Sequence, residues 1–126
     1  MNTNNQYFEE IIKSSRTSLS RWNGAWADMW ELTPSLKTLR ILIRRVEHGN
    51  VLPGNLLISC IDPVTIKGPV RWNNCDLRVT TTTLPGSQET GFLVADDSVG
   101  LEIICGALEV AENVKLWSEM QEMREM

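Results

Sequence analysis

Residues 76–84 read DLRVTTTTL, and apolar and polar side chains alternate along them. Alternation with a period of two is typical of a strand that buries one face, and four consecutive threonines favour extended backbone. Residues 55–61, NLLISCI, form a short apolar run between Pro53-Gly54 and Asp62-Pro63. Such a run between turn signals is typical of a buried strand. These two stretches predict an antiparallel sheet in the middle of the chain.

The sequence around this sheet predicts two more strands and a terminal helix. The strands are GFLVA at 91–95 and VGLEIIC at 99–105, separated by an acidic turn at Asp96-Asp97. After Gly106 we expect a helix from Ala107 to about Met123, because apolar residues recur on one side and glutamates on the other.

The N-terminal stretch from Asn4 to about Leu32 is predicted to be helical in two pieces. Tyr7, Phe8, Ile11 and Ile12 recur at helical spacing in the first piece. Three tryptophans follow at steps of four in the second piece, where Gly24 weakens a helix. They are Trp22, Trp26 and Trp30.

Residues 36–46, LKTLRILIRRV, fit two structures equally well. A helix would begin near Thr33-Pro34 and end before Gly49, whereas a strand would place Arg40 and Arg44 together on its outward face. With either choice the chain is predicted to be a single α+β domain over residues 1–126. Its parts are N-terminal helices, an antiparallel sheet of about four strands and a C-terminal helix.

Composition and charge restrict the function. The chain has 126 residues, 42% of them hydrophobic, and a formal net charge of −4. Residues 1–86 carry ten Lys or Arg against seven Asp or Glu, and residues 87–126 carry two against nine. A mildly basic part can bind a polyanion despite the net charge, because charges act over about 8 Å at physiological salt. We expect no signal peptide and no membrane-spanning segment.

Enzyme, metal and cofactor motifs are absent from the sequence. It contains no GxxxxGK[ST], GxGxxG, HExxH or GxSxG pattern. Three cysteines, none in a CxxC pair, and the single histidine His48 have no spacing typical of a zinc site. We therefore expect a non-enzymatic protein without metal, cofactor or small-molecule substrate, its thiols reduced and buried.

Three groups of residues are candidates for contacting nucleic acid. Exposed indoles can stack on bases, arginines on a strand can contact successive phosphates, and threonine hydroxyls suit the shallow minor groove of duplex RNA. The candidates are Arg21, Trp22, Trp26 and Trp30; then Lys37, Arg40 and Arg44; then Arg78, Thr80 and Thr82. Each group also has a structural explanation, namely indoles packed in the core, a solvated charged face, and simple β-propensity.

The order of these parts resembles the RNA-silencing suppressors of the tombusvirus group, and most of all the small suppressor of aureusviruses. The resembling segments are RWNGAWADMW at 21–30, LKTLRILIRRV at 36–46, DLRVTTTT at 76–83 and VGLEIICGALEVAENV at 99–114. The resemblance implies a plant-virus protein of the host cytoplasm that suppresses RNA silencing by sequestering double-stranded RNA. It also implies a homodimer whose two sheets join edge to edge, and a strand over residues 36–46.

The resemblance also assigns roles to the candidate residues. One or more of the tryptophans Trp22, Trp26 and Trp30 would stack on duplex ends. The basic residues on the first strand of the family would correspond to Lys37, Arg40 and Arg44. The family's hydroxyl contacts to RNA would correspond to Thr80 and Thr82. This chain departs from the family in two ways: its tryptophan spacing is four rather than three, and it has little room for a central helix between Gly49 and Asn74. Both departures predict binding that tolerates different duplex lengths.

A second resemblance leads to an alternative function. The end of the chain, VGLEIICGALEVAENVKLWSEM, is similar to the end of a lyssavirus-type matrix protein. That resemblance implies a small viral structural protein that self-assembles and contacts membrane or nucleocapsid. The two hypotheses differ in their ligands, because the first predicts binding of duplex RNA and the second binding of anionic lipid.

Overall fold

The computed structural model describes residues 3–33 and 37–113, which form one helix and nine strands. In chain order they are α1 (Thr3–Arg21), β1 (Trp26–Thr33), β2 (Thr38–Arg44), β3 (Val46–Glu47), β4 (Asn50–Val51), β5 (Leu56–Lys67), β6 (Arg71–Trp72), β7 (Arg78–Thr83), β8 (Thr90–Asp96) and β9 (Leu101–Glu112). Seven strands form one antiparallel sheet in the order β6-β1-β2-β5-β9-β8-β7. Strands β3 and β4 form a separate hairpin.

This architecture contradicts the predicted α+β domain with about four strands. The described chain is mostly sheet, and α1 is its single helix. Among the described residues, no helix combines the length and the apolar character needed to cross a membrane.

The two longest strands, β5 and β9, bend together at one point. Asp62 has a positive φ of 56°, and Gly106 faces it on the neighbouring strand. The register of β5 against β9 shifts just beyond, between Pro63 and Thr65, which marks a bulge. Bulges bend and twist the strands that contain them. The bend explains how one sheet of seven strands curves around a single core.

A buried carboxylate at the end of β8 connects the edge strand β6 with the segment before β7. Asp96, at the end of β8, has no exposed surface and accepts a hydrogen bond of 2.9 Å from the indole Nε1 of Trp72 in β6. Its carboxylate also accepts the backbone N–H of Asp76 at 2.9 Å and that of Ser98 at 3.1 Å. These bonds connect the edge strand β6 with the end of β8 and with the segment that precedes β7.

Helix α1 packs on one face of the sheet, over the core. Leu19 and Trp22 join the buried side chains of every long strand in one cluster, and Phe8 packs on Phe92 of β8 with ring centroids 5.0 Å apart. We call this face of the sheet the inner face. The outer face carries the alternate residues, including Arg40 and Arg44 of β2.

The second predicted helical piece is wrong, because residues 26–33 form strand β1. Gly24, with φ of 87°, lies between the end of α1 and this strand. Tryptophans four residues apart share a face of a helix, but they also share a face of a strand, since four is a multiple of two. Aromatic residues favour strands, and pairing along the length of β2 makes that choice here.

The structure also decides the ambiguous segment and corrects the C-terminal one. Residues 38–44 form β2, paired on both sides by β1 and β5.

The helix predicted from Ala107 is wrong over 107–112, which continue β9 through Gly106. Pairing with residues 56–61 of β5 overrides the helix propensity of Ala, Leu and Glu. The rest of that predicted helix lies outside the described residues.

Candidate nucleic-acid interface

An arginine and a tryptophan lie side by side on the outer face of β1 and β2. Trp26 and Arg44 are direct partners across the two strands, and the Trp26 side chain is 37% exposed. Directly opposed residues of an antiparallel pair have Cβ atoms about 5 Å apart. This pair therefore places an accessible ring beside a guanidinium group.

Arg40 lies on the same face of β2 as Arg44. Four residues of strand separate their Cα atoms by about 13 Å. Both side chains are half-buried, and Leu42 between them has no exposed surface. The Nε of Arg44 is buried and makes no hydrogen bond within the part of the chain that the structure describes. The arginine stems are thus held against the sheet, rather than extended into solvent as in a simple charged face.

A third arginine, which the sequence did not indicate, extends this surface onto β6. Arg71 forms an ion pair with Asp28, its partner on β1. Asp28 lies two residues from Trp26 on the outer face of β1 and neutralises Arg71, whereas Arg44 lies directly opposite Trp26 on β2. A strand of two residues after Pro69 has no periodicity to detect, which explains why Arg71 was missed.

The predicted row of three tryptophans does not form one surface. Trp22 follows α1, is 3% exposed and packs in the core. The guanidinium group of Arg45 lies 4.0 Å from the centroid of its ring. Trp22 is therefore unavailable for stacking on a base, whereas Trp26 is accessible. The side chain of Trp30 lies outside the described part of the structure.

Two further candidates, Arg21 and Lys37, contribute differently from the outer-face arginines. Arg21 ends α1 and forms an ion pair with Glu112 at the end of β9. Its hydrogen bond lowers the pKa of Glu112, and the same contact raises the pKa of Arg21. This pair joins the helix to the sheet. Lys37 is exposed, with a φ of 50°, immediately before β2.

The third predicted group lies on a different part of the outer face. Arg78, Thr80 and Thr82 share one side of β7, as the alternation predicted. However, β7 is four strands from β2, or about 19 Å along the sheet, and lies beyond the bend. Arg78 is also paired with Asp97 at 3.1 Å, a contact that raises the pKa of Arg78. The two arginine groups therefore do not form one site.

The adjacent acids Asp96 and Asp97 point apart, as expected for a polar turn. Burial by itself would raise the pKa of Asp96, but hydrogen bonds from Ser98, Asp76 and Trp72 outweigh it and lower this pKa. Ser98 donates through both its backbone N–H and its hydroxyl, so this carboxylate accepts four hydrogen bonds from the fold and Asp96 has a structural role.

The described residues offer no metal site. Within 3–33 and 37–113, no three His, Cys, Asp or Glu side chains are close enough to hold an ion. Cys60, Cys75 and Cys105 are free thiols and all buried. Burial raises the pKa of Cys75 to about 11, so this thiol is protonated at neutral pH.

No family model, curated protein or solved structure matches this chain.

Proposed function

We propose that this protein binds double-stranded RNA without reading its sequence, through the outer face of β1 and β2. The observation that carries the proposal is the cross-strand pair of Trp26 and Arg44, with Arg40 on the same face. The proposal rests on this surface, because the fold differs from the α+β domain that the sequence pattern predicted.

The chemistry of the surface suits a phosphate backbone. Guanidinium groups bind phosphates through paired N–H donors, and about 13 Å between Arg40 and Arg44 allows them to contact separate phosphates. Contacts to phosphates carry no sequence information, so recognition through these arginines would depend on shape and charge. Trp26 supplies an apolar ring for a sugar or an exposed terminal base.

The proposed role keeps the other expectations from the resemblance. Sequestering duplex RNA in the host cytoplasm would suppress RNA silencing without any catalytic step. A homodimer would present two such faces to one duplex and so raise the apparent affinity.

Gel shifts with three ligands at two salt concentrations test the proposal. The ligands are a 21-base-pair RNA duplex, the matching DNA duplex and the single-stranded RNA. We expect salt-sensitive binding of the RNA duplex in preference to the other two. Binding of none of them, together with binding to anionic vesicles, would favour the matrix-like alternative.

A double substitution tests whether this face is the site. Arg40→Ala with Arg44→Ala should lower the affinity for the RNA duplex about 100-fold, because each charged hydrogen bond contributes about 1.5–3 kcal/mol. Arg16→Ala, which removes an exposed arginine of α1, is the matched control and should leave the affinity within about twofold. Thermal unfolding of both variants shows whether the fold is retained. Equal affinities of the folded double variant and the control would exclude this face.

A further inference from the structure

A groove runs between α1 and the second half of β9. Its volume is about 430 Å³, and it is lined by four consecutive residues of β9, Leu108–Ala111, and by Ile11, Ser14 and Ser15 of the helix. Side chains of a strand alternate between its two faces. A groove that contacts four residues in a row therefore follows the edge of the strand.

This edge of β9 is unpaired in the described chain. Strand β8 pairs with β9 only from Leu101 to Cys105, and β5 pairs with the opposite edge of the second half. The backbone N–H of Asn113 donates to the carbonyl of Asn55, so alternate residues of β9, counted back from Asn113, direct their backbone groups at β5. Leu108, Val110 and Glu112 therefore direct their N–H and C=O groups away from β5. The first two direct theirs into the groove.

The walls of the groove specify what could occupy it. On the inner side, Ile11 of the helix and Leu108 and Val110 of β9 offer apolar surface, and Ser14 and Ser15 are small enough to leave room. On the outer side, Glu109 is the one charged residue among the described residues of the lining, and it is exposed. A strand added here would place apolar side chains inward and basic side chains outward beside Glu109.

We propose that this groove binds an extended peptide of a partner protein, which adds to the sheet as a strand beside β9. The peptide would alternate apolar and basic residues, and its backbone would hydrogen-bond with Leu108 and Val110. A second copy of this chain fits less well. Its own β9 edge is walled by its own α1, so pairing two such edges would force the two helices into the same space. The proposal is independent of RNA binding by β1 and β2.

A labelled synthetic peptide, VKVKVKVK with blocked ends, tests this by fluorescence anisotropy at 150 mM salt. We expect saturable binding, at least tenfold weaker binding of VEVEVEVE, and loss of binding when alternate backbone nitrogens are methylated. Failure of VKVKVKVK to bind at about 1 mM would overturn the proposal. Equal binding of the methylated peptide would also overturn it, because charge alone would then explain the interaction.

Two variants of α1 locate the binding. Ser14→Trp fills the groove and should lower the affinity for VKVKVKVK at least tenfold. Thr17→Trp, at an exposed position of the same helix outside the groove, should leave it unchanged. Glu109→Lys should reverse the preference between the two peptides. Equal affinities of the two tryptophan variants would contradict the proposal. A dimer in sedimentation that Ser14→Trp alone dissociates would assign the edge to a second copy and also overturn it.

Discussion

Arg44 of β2 and Arg78 of β7 occupy similar positions and have different surroundings. Both lie on strands, on the outer face of the same sheet. Arg44 is half-buried beside the exposed ring of Trp26, and no ion pair to it exists in the described ranges. Arg78 is more exposed and paired with Asp97. The first arginine is available for an external anion, whereas the second already has an internal one.

The difference shows that strand position and residue type do not define a phosphate site. A surface arginine with a carboxylate partner must lose that contact before it gains another, so its net contribution to binding is small. The partner of Arg78 is supplied by the turn after β8, and Asp96 holds that turn through Ser98. The arginine of β7 thus has a carboxylate partner, whereas the described ranges contain none for Arg44.

Replacing Asp96 should destabilise the region around β7, and we expect the largest effect from this change. Asp96→Ala leaves the N–H groups of Trp72, Asp76 and Ser98 without their acceptor. We expect a loss of about 3 kcal/mol in the free energy of unfolding, or roughly 10 °C in Tm. Urea and thermal unfolding measure it. Asp97→Ala, at the exposed neighbour, is the control and should cost less than about 0.5 kcal/mol; equal losses would contradict the assigned role of Asp96.

Lowering the pH should also destabilise the region around β7, but gradually. The pKa of Asp96 is lowered in the folded protein, so the unfolded chain binds its proton more readily. The resulting stabilisation is present above the unfolded pKa of about 3.9 and is lost as the pH falls through the lower folded value. Tm measured from pH 7 to pH 2 should therefore fall less steeply in Asp96→Asn than in the natural sequence. Parallel curves would show that another group dominates the acid unfolding.

Removing the ion-pair partner of Arg78 should make its surroundings more like those of Arg44. We expect only a small change in RNA affinity, the smallest of the three effects. Asp97→Asn removes the ion pair and leaves Arg78 free on β7. If RNA binds near β2 alone, the affinity should rise by no more than about threefold, through the change in net charge. Gel shifts measure it, and Glu89→Gln, an exposed charge removal outside the pair, is the control. A tenfold gain specific to Asp97→Asn would place β7 in the site.

The sequence predicted strands correctly where the alternation of side chains with a period of two was unambiguous. The faces of β7 and the buried run at 55–61 followed from alternation and turn signals. In contrast, Asp62-Pro63 indicated the end of a strand, but the structure has a bulge there and β5 continues to Lys67. A left-handed residue and a proline fit a bulge as well as a turn, and only the partner strand distinguishes them.

The candidate site was predicted in part. Arg40, Arg44 and Trp26 were identified as candidates from residue type, but their juxtaposition depends on β1 being a strand, which the spacing of four concealed. The burial of Trp22 under Arg45 and the pairing of Arg78 with Asp97 depend on tertiary contacts. No pattern in the sequence contains them.

The most direct test of the proposed interface is the salt dependence of RNA-duplex binding for Arg44→Ala and Arg78→Ala. The slope of log affinity against log salt counts the phosphates that the protein neutralises. Arg44→Ala should reduce this slope by about one and lower the affinity at least tenfold, whereas Arg78→Ala should change neither appreciably. Equal reductions in the two variants, or a loss confined to Arg78→Ala, would contradict binding through β1 and β2.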